Sequence, residues 1–266
     1  IIFEAKLKIF DLPTTNIKIN NFEFNDLLHC YKFMKQSKQI YNQNSFVINY
    51  SKKNIFFGRL ISGSFGKKEF YIKKIKNKKI PSARFGIFKY LFFKNLIFNL
   101  IFVLEKLKIY FKKNQHINDI LFTSNKRTFY FIMMPNKFIE YQNIVPDNKV
   151  KGYLIAFEKI ILKYKPNITL LHLKRFDQNG KNFEFKKKGL AIAMHIIIDE
   201  RFALFYKELV NLDFKYNCLV SFYKNSLIDI NFLKKFYPNY FSTFYKKIKK
   251  INKNYKFTNS IFKRNI

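Results

Sequence analysis

The sequence predicts an α/β protein: a Rossmann-like (flavodoxin-like) parallel sheet with helices on both faces, extended by basic segments. Short apolar runs such as LAIAMHIII (190–198) are typical of strands that are buried on both faces. They alternate with amphipathic segments such as YLIAFEKIILKY (153–164) over short connections. A hydrophobic fraction of 48%, with 35 Phe and 17 Tyr, is sufficient for a core and excludes a disordered chain.

The elements are predicted in order from local signals. Asn25 or Asp26 can cap a helix over LLHCYKFMKQ (27–36), and a second helix is predicted over about 89–113. Its longest uncharged stretch, Asn95–Leu104, is too short to span a bilayer and suits a buried helix. Residues 125–140 are compatible with helix or strand. The remaining predicted strands are 45–50, 54–60, 119–123, 167–173, 190–198 and 217–222, and the remaining helices are 153–164, 200–210 and 225–236.

Charge divides the chain into three parts. Residues 1–43 form an N-terminal extension with a helix, 44–236 form the core domain with a basic insertion at about 61–90, and 237–266 form a basic tail. Within the insertion, residues 66–79 contain seven Lys and one acid, Glu69. Residues 230–266 contain nine Lys, one Arg and no acid. We expect these two segments to extend from the core and to bind a polyanion.

The net charge of +34, from 51 Lys+Arg against 17 Asp+Glu, indicates that the partner is a nucleic acid. The abundance of Phe, Lys, Ile, Asn and Tyr is typical of an A+T-rich genome such as an organellar one. Lys outnumbers Arg, which favours point-charge contacts to phosphate over base reading. Arg59, Arg84, Arg127 and Arg175 are the candidates for more specific contacts. The predicted RNA-binding residues are Arg59, Lys67, Lys68, Lys73, Lys74, Lys76, Lys78, Lys79, Arg84, Lys126, Arg127, Lys186, Lys187, Lys188, Lys246, Lys247, Lys249 and Lys250.

The sequence predicts no catalytic, cofactor or metal site, and hence no enzyme. Cys30 and Cys218 lie far apart and are interpreted as reduced core residues. His172 and His195 fall inside apolar strands and are interpreted as core histidines. Asp199 and Glu200 follow a strand and are interpreted as the N-terminal charges of the next helix.

Five segments resemble the small-subunit ribosomal protein two family of bacteria and organelles. They are ILFTSNKR (120–127), NKVKGYLIAF (148–157) with Gly152, PNITLLHL (166–173), GLAIAMHIIID (189–199) and NCLVSFYKNSLID (217–229) with Asn225. Their order and spacing are similar to those of the family over residues 95–236. The chain departs from the family in LLHCYKFMKQ, which lacks the family's glycines, and in the absence of a long helical hairpin after residue 156.

The resemblance implies a Rossmann-like domain that binds small-subunit ribosomal RNA beside neighbouring ribosomal proteins. The implied setting is the mitochondrial matrix, with the gene in the organelle, without a small-molecule substrate or a membrane span. GRLISGSFGKKEF and KKIPSA (58–83) resemble the C-terminal domain of small-subunit ribosomal protein three, which is a second hypothesis. A divergent maturase or nuclease is a third hypothesis, and an accessory subunit of a respiratory membrane complex is a fourth.

Overall fold

The structure, a computed structural model, describes residues 11–37, 41–71, 84–111, 113–121, 130–176, 188–221, 224, 227 and 230–251. One eight-stranded sheet runs through them in the order β4-β1-β3-β2-β6-β7-β5-β8. The strands are β1 (Asn16–Phe24), β2 (Tyr41–Ile48), β3 (Phe56–Phe65), β4 (Asn114–His116), β5 (Phe138–Pro146), β6 (Ile168–Phe176), β7 (Gly189–Ile197) and β8 (Leu219–Val220). The helices are α1 (Leu27–Gln36), α2 (Leu91–Phe111), α3 (Ile117–Leu121), α4 (Val150–Tyr164), α5 (Phe202–Lys215), α6 (Ile230–Phe236) and α7 (Pro238–Ile251).

The predicted parallel, Rossmann-like sheet is wrong, because every described pair of neighbouring strands is antiparallel. The predicted strand direction is wrong at β6 and β7, for example. These two strands follow each other in the chain and pair directly with each other in antiparallel register. The residues of β7 are apolar because both faces of this strand are buried, and here that burial occurs in an antiparallel sheet. The fold that the ribosomal protein two resemblance implied is therefore not the fold of this chain.

Most predicted helices are confirmed, since their signals are local. Asp26 caps α1 by accepting a hydrogen bond from the backbone N–H of His29, and α2, α4 and α5 lie where they were predicted. The predicted strand at 119–123 is wrong over its described part, which belongs to α3. There the His116 ring accepts the backbone N–H of Asn118 and so caps the short helix. The sequence interpretation did not contain β1, β4 or β5.

The sheet consists of two units with the same connectivity. The first runs β1-α1-β2-β3-α2-β4 with the strand order β4-β1-β3-β2, and the second runs β5-α4-β6-β7-α5-β8 with the order β8-β5-β7-β6. This is the β-α-β-β-α-β arrangement known as ferredoxin-like. The strands at one edge of each unit, β2 and β6, meet and make the sheet continuous.

The two faces of the sheet are covered differently. On one face, α1, α4 and α5 pack on the strands through residues such as Cys30, Phe157 and Phe205, and α6 and α7 join the same core. We call these five helices the helix layer. On the opposite face, α2 packs through Phe98 and Phe102. The first unit therefore has its two helices on opposite faces, whereas the second unit has both in the helix layer.

The junction between the units depends on Asn44. Phe46 of β2 pairs with Leu171 of β6, and two residues away the Asn44 side chain binds the backbone of Leu173. The Asn44 amide donates to the Leu173 carbonyl at 2.6 Å and accepts from the Leu173 N–H at 2.6 Å. Because an amide side chain has the same donor and acceptor as a peptide group, Asn44 continues the strand pairing where the two units join.

Helix α2 crosses the opposite face above this junction. Near its start, Lys94 Nζ donates to the Ile168 carbonyl of β6 at 2.9 Å. Two turns later, Phe102 packs with Val47 of β2, and the helix also contacts β1. It therefore holds both units. No helix within the described ranges is long and apolar enough to cross a membrane.

Candidate nucleic-acid interface

Exposed lysines cover the outer side of the helix layer. They project from α4, α5, α6 and α7, all of which pack on the same face of the sheet. We call this set the cationic helix surface; its eleven members are Lys151, Lys159, Lys163, Lys165, Lys207, Lys215, Lys234, Lys235, Lys246, Lys247 and Lys250. The acids on α4 and α5 nearest to it in the chain are Glu158, Glu208 and the buried Asp213. This surface therefore has a large excess of positive charge.

Carboxylates elsewhere in the described chain are engaged by partners of their own. Lys224 Nζ lies 2.6 Å from Glu140 Oε1, and the His195 ring and Lys224 hold the pKa of Glu140 at about 2. Asp147 accepts hydrogen bonds from Tyr31 and, at 3.1 Å, from Lys35. Further engaged acids are Glu23 with Lys106, Asp199 with Arg201, and Asp213 with Tyr141, Tyr153 and Asn143. These acids are therefore committed to contacts with other residues than the eleven lysines of the cationic helix surface.

The predicted RNA-binding residues are spread over several parts of the molecule. Those with exposed side chains are Lys67, Lys68, Arg84, Lys188, Lys246, Lys247 and Lys250. The last three are brought together on α7, which is anchored by buried Tyr237 and Phe241. Lys249 lies in α7, but its side chain is outside the described part. Lys73, Lys74, Lys76, Lys78, Lys79, Lys126, Arg127, Lys186 and Lys187 also lie outside the described residues.

Arg59 is buried, with 3% of its surface exposed. One of its guanidinium N–H groups donates to the carbonyl of Phe102, and the guanidinium carbon lies 5.3 Å from the centre of the Phe102 ring. These contacts fix α2 to β3. In this conformation Arg59 does not reach a phosphate. Arg175 is exposed and donates to the Lys35 carbonyl at 3.1 Å.

The lysines of α4 and α5 were missed by sequence reasoning. Lys151, Lys159 and Lys163 are exposed on α4, and Lys207 and Lys215 are exposed on α5. The signal was present, because each alternates at helical spacing with core residues of its own helix. It was passed over because these lysines are dispersed along the chain and form no run.

The strand face of the second unit does not provide an RNA-stacking platform. Four-stranded sheets that bind single-stranded RNA present aromatic rings on an open face. On the central strands β5 and β7, the side opposite the helix layer carries Gln142, Ile144, Ala191 and Ala193, which are all at most 6% exposed. Two aromatic rings, Phe138 and His195, lie on the same side with their centres 5.8 Å apart, but both are partly buried. The cationic helix surface is therefore the better candidate for contact with nucleic acid.

The titratable groups in the described part of the core have internal partners. The Tyr130 hydroxyl lies 2.8 Å from His195 Nδ1, and His172 Nδ1 is hydrogen-bonded to the Asn44 carbonyl. Burial lowers the pKa of His172 to about 4 and raises the pKa of the Cys30 thiol to about 12. Both cysteines are free and buried, and no cluster of potential metal ligands occurs among the described residues.

No protein-family model matches the chain, and no curated protein matches it either. The function must therefore be inferred from the charge and geometry of the molecule.

Proposed function

We propose that this protein is a structural, RNA-binding subunit of a ribonucleoprotein particle, and specifically of an organellar, mitochondrial small ribosomal subunit. The observation that carries the proposal is the excess of 34 cationic side chains over carboxylates, together with the exposure of eleven lysines on the cationic helix surface. Such a surface fits a polyphosphate backbone, because each lysine contact releases a condensed counterion. The resemblance to ribosomal protein two lends no support, since the sheet is antiparallel.

The proposed mechanism is neutralisation of phosphates on a rigid scaffold. The helix layer is fixed to the sheet by a continuous apolar core, so its lysines are presented by helices rather than by loops. Lys binds phosphate as a point charge, whereas Arg is suited to bidentate contacts with bases. We therefore expect binding that follows RNA shape and backbone more than base sequence.

The test is the salt dependence of RNA binding by the purified chain. If about eight to ten lysines contact phosphate, affinity should fall by roughly 10³-fold or more between 50 and 200 mM salt. Replacing Lys246, Lys247 and Lys250 together by Gln should reduce the slope of log affinity against log salt by about two to three. The pair Lys52→Gln/Lys53→Gln, in the turn between β2 and β3, is the control and should change the slope less. A flat salt dependence contradicts the RNA-binding function.

Sedimentation of organelle extracts tests the particle. The protein should follow the small ribosomal subunit in detergent and should be released by ribonuclease. If it remains with a respiratory membrane complex after ribonuclease treatment, the ribosomal assignment is wrong.

A further inference from the structure

Helix α2 exposes an apolar stripe on the side that faces away from the sheet. The stripe consists of Phe93, Leu96, Leu100, Val103, Leu107 and Tyr110, whose exposed fractions range from 48% to 74%. The other side of the helix is already occupied, because Phe98 and Phe102 are buried against the strands. A helix that is apolar on two opposite sides is typical of one that is buried on both in its functional state.

The stripe is large enough for a stable protein interface. Phe92, Leu104 and Phe111 flank it with exposures of 73%, 56% and 80%. With about 200 Å² for a fully exposed aromatic side chain, stripe and flanks together present on the order of 1,000 Å², comparable to the roughly 800 Å² that each partner buries in a stable complex. The largest apolar patch on a typical monomer is smaller, at about 300–600 Å².

The spacing of the stripe fits a single partner helix. Its residues follow one another at intervals of three, four, three, four and three, which is the pattern of the a and d positions of a coiled coil. From Phe93 to Tyr110 the stripe is about 25 Å long, at 1.5 Å per residue. A partner helix of five to six turns would cover it.

Charge identifies the kind of partner. The chain as a whole carries a net charge of +34. Lys106, beside the stripe, is already paired with Glu23 at 3.1 Å, so the argument depends on the net charge. A second copy of this chain would bring two strongly positive molecules together. A lipid bilayer fits less well, because the cationic helix surface lies on the other face of the sheet and would point away from anionic headgroups. A partner helix with an apolar side and acidic flanks would cover the apolar stripe and would be attracted by the net positive charge of the chain.

We propose that the apolar stripe binds one amphipathic α-helix of a neighbouring protein subunit, with apolar residues at coiled-coil spacing and a net negative charge. This interaction does not depend on the RNA-binding function, because it uses the opposite face of the sheet. It makes the protein a link between nucleic acid and a protein neighbour.

The test uses the full-length chain and a designed 24-residue peptide with Leu at the a and d positions and Glu at the flanking positions. A peptide of identical composition, with the Leu positions scrambled, controls for simple charge attraction. Only the first peptide should bind tightly at moderate salt. The variant Leu96→Gln/Leu100→Gln should weaken binding at least about 30-fold. The matched control Ile155→Gln/Leu204→Gln removes two equally exposed apolar side chains from the helix layer and should retain wild-type affinity.

Four outcomes overturn the proposal. The first is equal binding of both peptides, and the second is equal binding of the first peptide by the Leu96→Gln/Leu100→Gln variant. The third is self-association of the wild-type chain that this variant abolishes, which assigns the stripe to a second copy. The fourth is binding to phosphatidylserine vesicles that this variant abolishes, which assigns it to a membrane. RNA binding measured on the same variant should be unchanged, so the two functions are tested separately.

Discussion

The buried Lys94 gives a sharp prediction about stability and pH. It lies in the apolar part of α2 with 0% exposure, and its ammonium donates to the Ile168 carbonyl at 2.9 Å. Burial, with a smaller contribution from Arg201, lowers the pKa of Lys94 from 10.5 to about 7. Between these two values the unfolded chain holds a proton that the folded chain does not, so the free energy of unfolding rises with pH. Below pH 7 the full cost of burying the charge is present.

Replacing Lys94 by Met removes this cost and the hydrogen bond to Ile168. The bond contributes about 1 kcal/mol at every pH. From the two pKa values, the cost of the buried ammonium falls by about 2–3 kcal/mol between pH 6 and pH 9. The Lys94→Met variant should therefore be more stable than the wild type at pH 6, and this advantage should shrink by that amount at pH 9.

Urea unfolding at pH 6, 7.5 and 9 measures the effect, since urea adds no ions. Comparing variant with wild type cancels the pH dependence of the rest of this highly charged chain. Lys89→Met, at an exposed position before α2, is the control and should show a constant difference from the wild type. A constant difference for Lys94→Met, or a loss of stability at pH 6, would refute the reasoning, because it would mean that the folded protein solvates the ammonium.

Three further predictions concern the core. Asn44→Ala should lower the free energy of unfolding by about 2–4 kcal/mol, because it leaves the buried backbone N–H and C=O of Leu173 without these partners at the junction of the units. Asn42→Ala, at an exposed position on the same strand, is the control and should cost less than about 0.5 kcal/mol in the same urea assay. Equal losses for the two variants would contradict the role of Asn44. Gly58→Ala places a Cβ 2.3 Å from the Phe46 ring and should cost about 1–3 kcal/mol in thermal unfolding, whereas a neutral result would show that the ring moves freely. Burial raises the pKa of Asp213 from 3.8 to about 6, so the free energy of unfolding should fall by about 3 kcal/mol as pH rises through that window. Asp213→Asn should flatten this fall, and an unchanged profile would assign it to other groups.

The sequence predicted the helices well and the sheet poorly. Asp26 as a helix cap acts within a few residues, so it can be recognised without a tertiary structure. Strand direction is a property of the whole sheet. The run in β7 is buried on both sides. Leu190, Ile192, Met194 and Ile196 pack with the helix layer, and Ile197 packs on the opposite face in the cluster that contains Phe98 and Phe102 of α2. In sequence, a strand buried on both sides looks the same as a strand of a parallel sheet.

Two of the three missed strands, β1 and β5, show that polar residues can conceal a strand. Asparagines occupy positions 16, 20 and 21 of β1, yet Asn16 donates to Glu69 at 3.0 Å and β1 pairs on both sides. In β5, Asn143 interrupts the apolar pattern, but its amide donates to Asp213 and to the Tyr153 hydroxyl. Each polar side chain is satisfied by a residue distant in sequence, which a local pattern cannot supply.

The sequence could indicate that the candidate interface is cationic, but it could not indicate on which surface of the fold the interface lies. Net charge indicated a polyanion, and the acid-free segment after residue 230 was predicted to include a basic tail. The structure places Lys246, Lys247 and Lys250 of that segment on α7 with exposed side chains, and their contact with RNA stays a prediction. The burial of Arg59 under α2 could not be foreseen, because it depends on a helix that packs on the opposite face from the other helices.

Helix α2 connects the two proposals through the architecture of the sheet. If it packed in the helix layer, as the second helix of the other unit does, its outer side would lie among the lysines. On the opposite face it leaves the helix layer free for polyanion and presents its apolar stripe on the far side. An RNA backbone and an apolar helix demand incompatible surroundings, one rich in water and counterions and the other dry. Placing the sheet between them lets one chain bind both, and α2 achieves this while holding the two units together.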